Sequence, residues 1–131
     1  MATPYEMTFV AQSGDIDIMG HVNNAVWVRW MEEIATAHWR SLAPPENLER
    51  HAWVVTRHEI DYRGNVTVGQ YVVGRTVVPD LPRGARFDRC VDFFGEDGSL
   101  KVSARTSWAM IDVAAGRLMR IPADLAALFL A

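Results

Sequence analysis

The stretch Gly14–Arg40 constrains this chain more than any other. It begins as a turn-rich loop, Gly-Asp-Ile-Asp-Ile-Met-Gly-His-Val-Asn-Asn (Gly14–Asn24), and runs directly into sixteen residues, Ala25–Arg40, without Gly or Pro. Asn23 or Asn24 is a good N-cap, because its side-chain oxygen can accept an amide proton of the first helical turn. At about 100° per residue, Trp27, Trp30, Met31, Ile34 and Ala35 share one arc, with Ala37 and His38 inside it. Arg29, Glu32, Glu33, Thr36 and Arg40 fall on the opposite arc. The chain must therefore bury one face of a long helix, and the positive end of that helix stands behind a loop with two carboxylates, Asp15 and Asp17.

The rest of the chain is mostly β in character. Tyr5–Gln12 reads as a first strand, with Tyr5, Met7, Phe9 and Ala11 on one face. After Ala43-Pro-Pro-Glu46 stops the helix, Pro44–His51 reads as a connector of variable structure. Trp53–Arg63 alternates, which predicts Val54, Thr56, His58, Ile60 and Tyr62 on one face and Trp53, Val55, Arg57, Glu59, Asp61 and Arg63 on the other. Gln70–Pro79, Ala85–Gly95 and Leu100–Asp112 continue the strands, with Phe87, Arg89, Val91 and Phe93 sharing a side. Asp97-Gly98 marks a hairpin turn, and Pro122–Phe129 a closing helix. One long helix among antiparallel strands is an α+β pattern, and 131 residues suffice for one core, hence one domain over 1–131.

At the motif level, Asp-Ile-Asp-Ile-Met-Gly-His-Val-Asn-Asn-Ala-Val-Trp-Val-Arg-Trp-Met-Glu-Glu resembles the signature of hotdog-fold acyl-CoA thioesterases, in the group of the 4-hydroxybenzoyl-CoA and long-chain acyl-CoA enzymes. The resemblance implies an antiparallel sheet wrapped around a long central helix, and hydrolysis of acyl-CoA thioesters to free acid and CoA. It puts the catalytic carboxylate on Asp17 and the carbonyl-polarising amide near Asn24. It implies no cofactor, coenzyme A entering as part of the substrate, and a homodimer or homotetramer with sites between subunits.

The residues themselves allow this chemistry. A thioester needs a group that attacks the carbonyl or activates water, and a donor for the oxyanion. The leaving thiolate is a weak base, its thiol having a pKa around 8.5, so no strong general acid is required. Each residue also has a plainer reading. Asp17 can brace an Asx turn, Asp15 a turn or surface, and Asn23 and Asn24 can be caps that also touch substrate. His21 fits substrate binding or a structural role, and Tyr62 fits the border of an acyl channel or a core position. Glu32 and Glu33 belong to the polar arc, where Arg29 and Glu33 form an i,i+4 pair. Arginines 83, 86, 89 and 105 are candidates for CoA phosphates, although arginine is also common on exposed strand faces, and sequence does not select among them. Trp53, Tyr71 and Trp108 are interface or core aromatics. Gly64-Asn65 replaces an Arg-Pro-like pair of many relatives.

Two other functions stay open. A hotdog enoyl-CoA hydratase or dehydratase needs an Asp-x4-His loop, but three residues separate Asp17 from His21 and five separate Asp15 from it. A non-catalytic acyl-CoA-binding module would use the same pocket. A net charge of −3 argues against nucleic acid. The histidines and Cys90 have no metal-ligand spacing, so no metal site is expected. A lone cysteine, no basic-then-apolar leader in Met1–Met7, and no run of about 20 apolar residues fit a cytoplasmic protein away from membranes.

Overall fold

The computed structural model describes residues 3–130, so Met1, Ala2 and Ala131, at the ends of the expected domain, lie outside the described residues. The order of elements is β1 (Tyr5–Val10), a short 3₁₀ turn (Ser13–Asp15), α1 (Asn24–Leu42), α2 (Pro45–Arg50), β2 (His51–Tyr62), β3 (Tyr71–Val77), β4 (Arg86–Gly95), β5 (Leu100–Asp112), β6 (Arg117–Leu118) and α3 (Ala123–Leu130). The strands form an antiparallel sheet in the order β1-β3-β4-β5-β2, with β6 paired to the end of β5. This is the α+β hotdog arrangement, with α1 as the filling.

The apolar arc of α1 meets the sheet in two clusters of buried side chains. Trp27, Trp30, Met31 and Ile34 pack with Phe9, Val72, Val91, Phe93 and Val102. One turn further on, Ala35 and Trp39 pack with Phe87, Trp108, Met110 and Phe129. Burying each such large side chain is worth about 1.5–3 kcal/mol, so the helix is held by its packing and not by its propensity. Val26 and Trp39 are buried as well, while Ala37 is only half-buried. Gly74 of β3 permits the close approach of helix and sheet, since a Cβ there would lie 3.1 Å from both Ile34 and Phe93 and 3.3 Å from Phe9.

Three expectations need correction. The connector Pro44–His51 contains a helix, α2, in which Pro45 occupies the first turn, where its missing N–H costs nothing. β2 does not alternate uniformly. The β2–β5 register shifts between Val55 and Arg57, so Trp53 and Val55 point inward with His58 and Ile60, and Thr56 is the extra residue of a bulge. Arg89, a candidate for CoA phosphates with an exposed strand face as its plainer reading, is 2% exposed, because it shares the inner face of β4 with Phe87, Val91 and Phe93. Trp108 belongs to the core and Trp53 packs against it, whereas Tyr71 is exposed.

Among the described residues, no helix is long and apolar enough to cross a membrane, and no group of three or more His, Cys, Asp or Glu side chains is arranged to hold a metal ion.

Candidate active site

The loop between β1 and α1 is closed by its own backbone. Ile16 and Val22 form an antiparallel bridge, the Asp17 N–H donates to the His21 carbonyl at 2.7 Å, and the Asn23 N–H donates to the Asp15 carbonyl at 2.9 Å. Between these rungs, Asp17-Ile-Met-Gly20 is a tight turn in which the Gly20 N–H donates to the Asp17 carbonyl at 3.0 Å. Gly20 has φ +80°, a conformation other residues rarely adopt, so this turn depends on glycine.

The two carboxylates of the loop have different surroundings. Asp15 is buried, and its side chain accepts the Gln12 N–H at 2.9 Å and the Arg29 guanidinium at 2.9 Å. The Gln12 amide and then Arg29 hold its carboxyl below the usual carboxylate range. Both oxygens of Asp15 are thus engaged in tying the loop to α1. Asp17 is half-buried, and its Oδ1 accepts the N–H groups of Met19 at 2.9 Å and His21 at 3.2 Å, an Asx turn. Its Oδ2 takes no hydrogen bond among the described residues.

α1 starts where this loop ends. The Asn23 side chain caps it by accepting the Ala25 N–H at 2.9 Å, and the Asn23 carbonyl accepts the Val26 N–H at 2.9 Å. The Asn24 N–H, the first of the helix, is left without a partner among the described residues, so partial positive charge faces outward there. Tyr62, at the end of β2, brings its hydroxyl to 3.5 Å from the Asn24 carbonyl, and partial burial raises its phenol above the ordinary value. The fold therefore gathers Asp17, the His21 backbone, Asn23, Asn24 and Tyr62 at one end of α1. The His21 side chain is exposed.

Asn65 is a positioning residue that no local pattern singles out. It accepts the Val22 N–H at 3.0 Å and donates to the Val22 carbonyl at 3.5 Å, clipping the β2–β3 connection to the loop. Its only signal in the sequence is the departure from an Arg-Pro-like pair. The four arginines that are candidates for CoA phosphates separate in space. Arg105 pairs with Asp80 and Asp88, Arg83 lies 3.6 Å from Asp88, Arg86 is exposed, and Arg89 is internal. Glu33 lies 3.6 Å from Arg29 on the exposed side of α1.

Residues 11–129 match the model of the thioesterase-like superfamily. A hypothetical protein from Staphylococcus aureus, solved in complex with CoA, superposes with TM-score 0.87 at 14% identity, over 99% of this chain and 84% of that one. A probable thioesterase from Bartonella henselae gives 0.79 at 22% identity, over 93% of this chain and 100% of that one. A 1,4-dihydroxy-2-naphthoyl-CoA thioesterase from Synechocystis gives 0.82 at 14% identity, over 98% and 96%. At these identities the likeness is one of fold. No curated protein matches the chain.

Proposed function

Because the chain belongs to the thioesterase-like superfamily, and so is a thioester hydrolase, we propose that it cleaves acyl-CoA, with Asp17 as the catalytic carboxylate and the Asn24 N–H polarising the thioester carbonyl. The observation that carries this reading is the division of labour in Asp17. One oxygen braces the turn and the other takes no hydrogen bond among the described residues, in the loop that runs into a helix whose first amide is uncovered.

In the base form of the reaction, Asp17 takes a proton from water while the hydroxide adds to the carbonyl carbon. Negative charge builds on the carbonyl oxygen, where the Asn24 N–H receives it. Collapse of the adduct breaks the C–S bond, and the CoA thiolate takes the proton back from Asp17 as it leaves, which restores the carboxylate. In the nucleophile form, Asp17 attacks the carbonyl and expels the CoA thiolate, and water opens the resulting anhydride at the Asp17 carbonyl carbon. A single turnover in ¹⁸O-water separates the two, since only the second leaves label in the Asp17 carboxylate. His21, Asn23 and Tyr62 border the substrate, Asn23 through the amide nitrogen that capping leaves free.

A homodimer or homotetramer fits this site. β2 is a twelve-residue edge strand with open backbone groups. Ile18 and Met19, at the tip of the Asp17 turn, are 101% and 75% exposed, apolar side chains that a second subunit would cover. We further read the chain as one domain acting in the cytoplasm without a cofactor, CoA arriving as part of the substrate. That a Staphylococcus aureus neighbour was solved with CoA supports the choice of thioester.

The test is a panel of acyl-CoAs incubated with the pure protein and a thiol reagent. Free CoA release is expected, and relative kcat/KM identifies the acyl group. Loss of enoyl absorbance without thiol would make the protein a hydratase, and binding without turnover a sensor.

A further inference from the structure

A cavity of about 360 Å³ lies beside the C-terminal half of α1, walled by Trp39, Trp53, Trp108, Phe87 and Phe129, with Arg89 set into it. Its lining on α1 runs from Ala35 to Arg40, eleven to sixteen residues beyond Asn24. At 1.5 Å per residue that is about 16–24 Å along the helix from the Asp17 end. The Asp17 site and this cavity share no residue.

Arg89, 2% exposed, is the buried cation of the cavity. Arg89 donates from Nη1 to Nδ1 of His38 at 2.9 Å and to the Thr76 hydroxyl at 3.0 Å, while its Nε is buried without a partner. Nε1 of Trp53, Nε1 of Trp108 and Nδ1 of His51, another lining residue, are buried and unpartnered as well. The guanidinium and indole N–H groups can only donate, whereas the His51 nitrogen donates or accepts according to its tautomer. No Asp or Glu is among the residues that line the cavity, and no carboxylate pairs with Arg89 among the described residues. A guanidinium withdrawn from water without a counter-ion is costly, and a ligand with acceptor oxygens would relieve that cost. The surrounding aromatic rings select for an apolar body behind those oxygens, in a volume that suits a small molecule.

We propose that this cavity binds a small monocarboxylate with an apolar body, its carboxylate on the Arg89 guanidinium and its body against the aromatic walls. The acid is either the one released by the protein's own hydrolysis or a separate acid acting at a distance from Asp17. The binding itself does not depend on the thioesterase mechanism proposed for Asp17.

Trp39, Trp53 and Trp108 line the cavity, so intrinsic fluorescence reports occupancy directly. Benzoate, phenylacetate and hexanoate would each be titrated against the whole protein, with benzamide as the uncharged counterpart of benzoate. At least one acid is expected to give saturable quenching, and benzamide should bind about 10- to 100-fold more weakly than benzoate, as loss of a charge-assisted hydrogen bond predicts. Arg89→Met, shown folded by circular dichroism, should lose affinity for the acid by a similar factor, and Asp17→Asn should retain it. Competition with a non-hydrolysable acyl-CoA analogue would identify the acid as the reaction's product, and undisturbed binding would identify a separate acid. Either pattern supports the site. No saturable binding of any of the acids, equal binding of benzoate and benzamide, or full affinity in folded Arg89→Met would overturn it. The benzoate–benzamide comparison needs only the wild-type protein, so the outcome does not hang on the variant folding.

Discussion

Asn65 grips both ends of the Val22 residue, accepting its N–H at 3.0 Å and donating to its carbonyl at 3.5 Å. Forty-three positions separate the two residues, and the contact fixes the segment between the Asp17 turn and the first turn of α1. Asn65→Ala is expected to leave the protein folded but to misplace the carboxylate against the Asn24 amide. The loss should fall on kcat, on the order of 10-fold or more, with KM little changed. Asn65→Asp keeps the acceptor and loses the donor, so it should lie between wild type and Asn65→Ala. A change confined to KM would count against a positioning role.

The acids of the loop should separate cleanly. Asp17→Asn is expected to melt like wild type and to lose about 10²-fold or more in turnover, by removal of the base or nucleophile. Asp15→Asn weakens bonds to Gln12 and Arg29, so it should cost about 1–3 kcal/mol of stability with a milder effect on kcat. Thermal melts and acyl-CoA turnover on both variants check this. A larger loss of turnover at Asp15 than at Asp17 would mean the catalytic role is assigned to the wrong acid.

At the helix start, the proposed oxyanion donor is the Asn24 backbone N–H, not the Asn24 side chain. Asn24→Ala should retain much of the activity. Asn24→Pro deletes the N–H at a position where proline suits a helix, and should lose far more kcat, about 10²–10³-fold for one donor. Equal losses in two variants with native circular dichroism would remove the oxyanion role.

Gly74 is a packing prediction independent of function. A methyl group there meets Ile34, Phe93 and Phe9 at 3.1–3.3 Å, three side chains of a single filled core with little room to retreat. Gly74→Ala is expected to destabilise by about 1–3 kcal/mol in denaturant melts, despite the usual gain from replacing glycine in a strand.

His38 gives the pH dependence. Burial, and then the charge of Arg89, lower its pKa from 6.5 to about 4. Between those values the unfolded chain takes up a proton that the folded chain refuses, so stability falls as pH drops from about 6.5 towards 4. Below about pH 4 both states are protonated and this contribution levels off. His38→Gln has no such proton, and its melting temperature should decline less steeply across that window. Parallel curves for the two proteins would show that His38 does not set the slope.

The amino-acid sequence by itself determined the elements whose signals are local. The cap at Asn23, the apolar arc of α1, the glycine turn at Gly98 and the shared side of Phe87, Arg89, Val91 and Phe93 all depend on neighbours within a few residues, and all are present. The contiguous part of the candidate site was legible for the same reason, since Asp17 and Asn24 belong to one loop and the helix it feeds. The tertiary structure decided what depends on a distant partner. Periodicity in β2 could not reveal the bulge at Thr56, because a bulge is defined by register against β5. The Arg29–Asp15 ion pair and the Asn65 clip span 14 and 43 positions, so no spacing rule announces them. Arg89 alternates correctly with its apolar neighbours, yet whether a guanidinium may accompany them inside depends on His38, Thr76 and a cavity that only the packed helix and sheet create. Local pattern specifies which way a side chain points; the free energy of burying a polar one is settled by the groups that come to meet it.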